Sequence, residues 1–211
     1  MNKSKFVYCF DAGHGGMING QYQTPGKRSP KFEDGSVLYE GVNNRDNVKR
    51  IIAALEAEGI SCIDIVDSEN DIPLPERVAR ANKLAKGGKC IYISIHSDAN
   101  GNGIEWDQAL GLSVYTSIGD TGLSDDFAEI VINKLQLHFG SSVKWRTQTT
   151  DGDKDKEENF YVLKNTNCPA ILAELGFHTN REEASKMRGE QWKNKIVASF
   201  VDAIKELEAK L

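Results

Sequence analysis

Short runs of β-branched and aromatic residues alternate along this chain with stretches whose apolar residues recur every three or four positions, and that alternation constrains the fold more than any other feature. It is the pattern of βα units, in which parallel strands are joined by helices that cover the faces of a sheet. Residues 6–10, 60–66, 90–95, 112–116 and 170–173 read as strands, with 143–147 a weaker sixth. Val48, Ile51, Ile52 and Leu55 form one helical stripe, closed by Gly59 where a left-handed cap is needed; this helix is expected to begin near Asn43. Pro75 suits the first turn of a second helix and Gly87 its stop. A third starts near Ser124 with Asp125 and Asp126 in its positive first turn, carries Phe127, Ile130, Val131, Lys134 and Leu135, and ends at Gly140. Trp192, Ile196, Val197, Phe200, Val201, Ile204 and Leu211 mark the packed face of a last helix. We therefore expect one α/β domain over residues 1–211, with a mostly parallel central sheet of about six strands flanked by helices on both faces.

Three segments resist this pattern: 20–36, rich in Gly and Pro; 97–111, which carries Trp106; and 148–159, mostly Asp, Lys and Glu. Loops longer than about 12 residues in a compact domain are usually functional or disordered. The first two follow directly from strands that carry histidines, which places them to frame a cleft. No internal repeat is visible.

Two of the four histidines end strands, His14 in FVYCFDAGHGG and His96 in IYISIHSDAN, and a third strand, in AILAELGFHTN, ends at Glu174. Open α/β sheets keep their ligands at the carboxyl ends of strands, so these groups are expected to converge. With Glu40 between them in sequence, the set of two imidazoles, a carboxylate and a free carboxylate is what a hydrolytic zinc site needs.

Each residue also has a plainer role. GHGG is a glycine turn suited to phosphate, yet it lacks the Lys-Ser/Thr of a P-loop and the spacing of a dinucleotide site. His96 taken alone is a semi-buried, satisfied side chain. Glu40 stabilises a helix N-terminus by about 0.3–1 kcal/mol, a role compatible with metal binding. Glu174 lies among apolar neighbours, where an unpaired charge costs several kcal/mol; the escapes are an Arg or Lys partner, a metal, or the raised pKa that suits a general base.

A net charge of -5 and the lack of an aromatic platform argue against a nucleic-acid partner. No apolar run approaches the roughly 18 residues of a membrane span, and no secretory signal precedes the first strand. Cys9, Cys62, Cys90 and Cys168 have no CxxC spacing and read as reduced thiols acting as small hydrophobes. Asp151, Asp153 and Asp155 imitate the start of an EF-hand loop, but Lys156 replaces its glycine and Val162 its glutamate, so the segment reads as a solvated loop at the groove rim rather than a calcium site.

Four ordered segments, DAGHGG, YEGVNNRDNVKRI, RVARAN with IYISIHSDAN, and NTNCPAILAELGFHTN, resemble the zinc-dependent N-acetylmuramoyl-L-alanine amidases of the amidase-3 type, found among bacterial cell-wall hydrolases and phage endolysins. The match runs from the first strand to the helix after Glu174. The resemblance implies one Zn2+ ion on His14, Glu40 and His96, with Glu174 as the catalytic acid/base, acting on the muramoyl peptide of peptidoglycan. Some members of the family insert a long inhibitory helix after the second histidine; residues 97–111 are too short for one, so activity without a partner is expected. His178 either lines the cleft or is structural, His138 is expected at the surface, and Arg77 and Arg80 are expected to pair or pack on a helix surface.

A monomer acting at the cell wall is the default expectation, released by lysis or with its signal already removed. No separate wall-binding module is read within these 211 residues. Two other readings remain at this point: a zinc peptidase cutting a different stem-peptide bond, and a non-catalytic wall-binding or regulatory protein on the same scaffold.

Overall fold

The computed structural model describes residues 4–101, 103–120, 122–148 and 152–211; Asp151 lies outside them. In chain order come β1 (Val7–Ala12), a small ribbon of β2 (Met17–Ile18) and β3 (Gln21–Tyr22), α1 (Glu40–Ala57), β4 (Ser61–Asp64), α2 (Leu74–Ala85), β5 (Cys90–Asp98) and β6 (Leu112–Thr116). Then follow α3 (Leu123–Phe139), β7 (Lys156–Glu157), α4 (Tyr161–Asn165), β8 (Ala170–Phe177), α5 (Arg181–Met187) and α6 (Glu190–Lys210). The main sheet has six strands in the order β4-β1-β5-β8-β6-β7, and only the β6–β8 pairing is antiparallel.

Both faces of this sheet are apolar, which is why its central strands read as unbroken hydrophobic runs. Tyr8, Phe10, Ile91, Ile93, Ile95, Ile171 and Ala173 enter one core, with Val48, Ile51 and Leu55 of α1, Phe127 and Val131 of α3, and Ile196, Phe200 and Ile204 of α6. The intervening positions Cys9, Cys90, Tyr92, Ala170 and Leu172 turn to the other face, under Val78 of α2 and Val162 of α4. Each Ile, Leu or Phe fully withdrawn from water contributes about 1.5–3 kcal/mol. The helices therefore lie on both faces, as expected.

Several boundaries differ from the sequence reading. Residues 143–147 form no strand: Trp145 makes a single bridge to Leu112, through Leu112 N–H to Lys144 O (2.9 Å) and Arg146 N–H to Leu112 O (2.9 Å). The sixth strand is β7, within the charged segment read as solvated loop, and it pairs Lys156 and Glu157 with Tyr115 and Thr116. Backbone pairing at a sheet edge does not require apolar side chains, so the charged β7 and the single bridge at Trp145 share the outer edge of β6. Leu211 follows α6 and is exposed rather than packed. β5 and β8 run past residues 95 and 173, so His96 and Glu174 still lie within the ladder. All four cysteines are free, with Cys9 and Cys90 buried.

Candidate active site

α1 begins at Glu40, three residues earlier than its apolar stripe indicates. The stripe of Val48, Ile51 and Leu55 continues toward the N-terminus as Asn44, Asn47 and Glu40, all buried. Polar residues on the core-facing side of a helix are the sequence signal that this end meets something other than core.

It meets the two histidines. β1 and β5 are parallel neighbours, so their carboxyl ends share one edge, and Gly13 N–H donates to Ile95 O at 3.0 Å to bring the His14 turn against β5. A Cβ at Gly13 would fall 2.2 Å from the His96 ring, and one at Gly41 1.9 Å from Gly15 O. Only glycine permits either approach. His14 itself takes the left-handed backbone conformation, φ 65°.

The resulting cluster is tight. Nε2 of His14 lies 3.2 Å from Oε2 of Glu40, and Nδ1 of His96 lies 3.2 Å from Oε1. The rings stand edge to face, 5.0 Å apart. Among the described residues, His14, Glu40 and His96 are the one group of three whose ligand atoms all lie within 4.8 Å of one another. Ligand atoms on a tetrahedral zinc are separated by about 3.4 Å, so the spacing fits. Glu40 is 1% exposed, and its Oε2 has no hydrogen-bond donor while Oε1 accepts from Ser97 N–H at 3.1 Å. A buried carboxylate with a cluster imidazole against each of its oxygens, one of which has no hydrogen-bond partner, is a cation acceptor. Burial pushes the Glu40 carboxyl up, but contact with His14 and His96 outweighs it and holds the group well below the usual carboxylate range.

Glu174 pairs in register with His96 on the neighbouring parallel strand, which sets the two side chains at one level. It does not join the cluster, and its buried Oε2 has no partner. Burial above all, then the charges of Glu40 and Asp98, push its carboxyl up to about 8, against the opposing charges of His96 and Lys27.

The supporting residues are largely ones that sequence reasoning missed. Arg77, expected on a helix surface, is 2% exposed: it pairs with buried Asp11, donates to Ala12 O (2.8 Å), Ile72 O (2.7 Å) and His14 O (3.1 Å), and reaches Asp71. Arg45 donates to the same His14 carbonyl (2.7 Å) and to Gly41 O (3.1 Å). Two guanidinium groups thus grip the backbone that presents His14. Arg80 keeps to the surface beside Glu76, as expected. His178 is structural rather than cleft-lining: it is 1% exposed, with Nδ1 3.1 Å from Ser97 O and 3.7 Å from Glu40 Oε2, and burial holds its pKa below the usual value. His138 is partly exposed and meets Asp202 at 2.8 Å. The two loops after the histidine strands do meet, through Phe32 and Trp106 at 4.9 Å.

Two imidazoles and a carboxylate gathered at the carboxyl edge of an open α/β sheet, with a second carboxylate poised alongside, is the donor chemistry of hydrolytic metal enzymes. The residue pattern of the Amidase_3 family, N-acetylmuramoyl-L-alanine amidase, matches residues 9–206, and the chain belongs to that family. It is 29% identical over 198 residues to the N-acetylmuramoyl-L-alanine amidase LytC of Bacillus subtilis (strain 168), a match covering 91% of this chain and 33% of LytC. It is 26% identical to the uncharacterized protein YqiI of the same organism, covering 96% and 84% of the two chains. A 25% identical relative is the endolysin of Bacillus phage SPP1, of which the chain spans 66%. In fold it is similar to an N-acetylmuramoyl-L-alanine amidase from Clostridium difficile 630, with TM-score 0.79, 24% identity, and 99% and 100% of the chains covered.

Proposed function

We propose that this protein hydrolyses the amide bond between N-acetylmuramic acid and L-alanine in peptidoglycan, releasing intact stem peptides, with one zinc ion held by His14, Glu40 and His96. The observation that carries the reading is Glu174, a carboxylate outside the ligand cluster yet level with His96 and pushed up to about 8. Zinc, when bound, supplies Lewis acidity that polarises the scissile carbonyl and brings the ionisation of water to about neutral pH.

The chain's own residues do the rest. Glu174 takes a proton from the attacking water as its oxygen bonds to the lactyl carbonyl carbon. It then delivers that proton to the L-alanine nitrogen as the carbon–nitrogen bond breaks. Arg45 and Arg77 fix the His14 backbone, and Ser97 with His178 holds Glu40 from behind. The place of action is the cell wall. No helix of the described residues is long and apolar enough to cross a membrane.

A zinc peptidase cutting elsewhere in the stem peptide would use the same residues, and the product distinguishes the two. A non-catalytic scaffold would be expected to lack one of the four side chains, and this chain carries all four. The test is mass spectrometry of peptidoglycan digested by the purified protein, untreated, chelated and zinc-restored. Intact stem peptides beginning with a free L-alanine amine, lost on chelation and regained with zinc, are expected. Truncated stems would transfer the reading to the peptidase, and no product from any wall type would end the hydrolase reading.

A further inference from the structure

We propose that Thr116, Asp125, Asp153 and Asp155 form a second cation site, suited to calcium, at the opposite edge of the sheet from Glu174. Thr116 ends β6, which runs antiparallel to β8, so it points away from the edge that holds the histidines. Its hydroxyl donates to Oδ2 of Asp155 at 2.6 Å and lies within hydrogen-bonding reach of Asp125, in the first turn of α3. Asp153 is within the same reach of Asp155.

Asp155 is 1% exposed, not solvated as the sequence suggests, and its Oδ1 is buried without a partner. Oδ1 of Asp125 and Oδ1 of Asp153 are likewise buried and unpartnered. The nearby cations turn elsewhere. Lys154 goes to Glu129 (3.1 Å) and Asn133 (2.6 Å), and Lys156 to the hydroxyl and ring of Tyr115. Asp120 and Glu157 add negative charge from the adjoining loop and β7, their carboxylates taken up by Gly122 N–H and Gly119 N–H.

Carboxylates in contact with one another need a proton or a cation between them, and a buried charge needs a partner. Without a cation the proton is held tightly. Burial, with contact and charge from Asp153, pushes the Asp155 carboxyl up to about 7, and burial with the surrounding acids pushes Asp125 up to about 6. The donors are all oxygen and include no imidazole or thiolate, which selects against zinc. Calcium takes six to eight oxygens at about 2.3–2.6 Å in a flexible shell that water can complete, whereas magnesium demands a strict octahedron. This is not an EF-hand, since its ligands come from β6, α3 and one loop. A cation there ties 153–155 to the sheet and secures β7 against β6. The same connection carries Arg146, which pairs with Asp98 and lies 4.7 Å over the Phe177 ring near the catalytic edge.

The experiment is calorimetric titration of CaCl2 and MgCl2 into zinc-loaded protein stripped of calcium, with thermal melts alongside. One saturable calcium site is expected, raising Tm by roughly 5–10 °C at a hundredfold excess over Kd, with a weaker magnesium response. Asp155→Asn and, separately, Asp125→Asn should each abolish both the heat and the shift. The second, only partly buried, carries the test if the first does not fold. Absence of a calcium response in the parent protein, or an undiminished response in a folded variant, overturns the proposal.

Discussion

In the proposed reaction Glu174 is the acid/base, and that role separates cleanly from a ligand's. As an acid/base outside the ligand set, it can lose its charge without loosening the metal. Glu174→Gln should therefore retain one zinc per chain while turnover falls by about 10²–10⁴-fold, measured by metal analysis and by release of free L-alanine amine. Loss of zinc from that variant would make Glu174 a ligand. Its raised pKa also has a stability sign. In metal-free protein, a carboxyl whose folded pKa is about 8 against a usual 4.5 contributes stability below the lower value and loses it as pH rises through the upper one. Melts in chelator should show Tm falling over that window more steeply in the parent than in Glu174→Gln. That His14, His96 and Glu174 share one edge was legible in the sequence because all three were read at strand ends, while Glu40, at a helix start, was singled out by residue type and its place between the two histidines. The roles of Arg45 and Arg77 were not legible, because the carbonyl they hold lies 31 and 63 residues away along the chain and backbone acceptors leave no mark in sequence.

At the scale of elements, the site depends on how α1 and α2 are set against the turn after β1. α1 brings Gly41 against Gly15, and α2 sends Arg77 beneath β1 to Asp11, which also accepts from Tyr92 and from Ser94 at 3.0 Å. Removing the guanidinium strands a buried carboxylate, a change that costs about 3–5 kcal/mol. Arg77→Ala should lose that much stability in denaturant titration and also bind zinc more weakly than the parent at temperatures where both are folded. Unchanged zinc affinity would confine Arg77 to the core. The strands and helices that carry this arrangement were readable from period and caps. The error at 143–147 arose because an apolar-looking run sits beside β6 at only one bridge, whereas β7 is charged and still pairs. Side-chain pattern reports burial, and an edge strand has little of it to report.

Across the whole molecule, a polymeric substrate requires that the edge holding the candidate site be open to solvent. The carboxyl ends of β1, β5 and β8 present His14, His96 and Glu174 on one side, and the connection between β5 and β6 follows directly after His96. Its described residues form no helix and are fastened sideways instead: Asn100 N–H donates to Thr179 Oγ1 (3.0 Å), Asp107 N–H to Thr179 O (2.8 Å), and Trp106 packs on Phe32. Glu174, His14 and His96 retain some exposure, so the segment does not seal the cluster. The zinc-loaded protein should accordingly hydrolyse purified peptidoglycan with no second protein present. Its rate should change little when residues 99–111 are shortened by a few positions that spare Asn100, Trp106 and Asp107. A protein inert alone but active with a partner, or activated severalfold by that shortening, would show that this connection blocks the catalytic edge in solution.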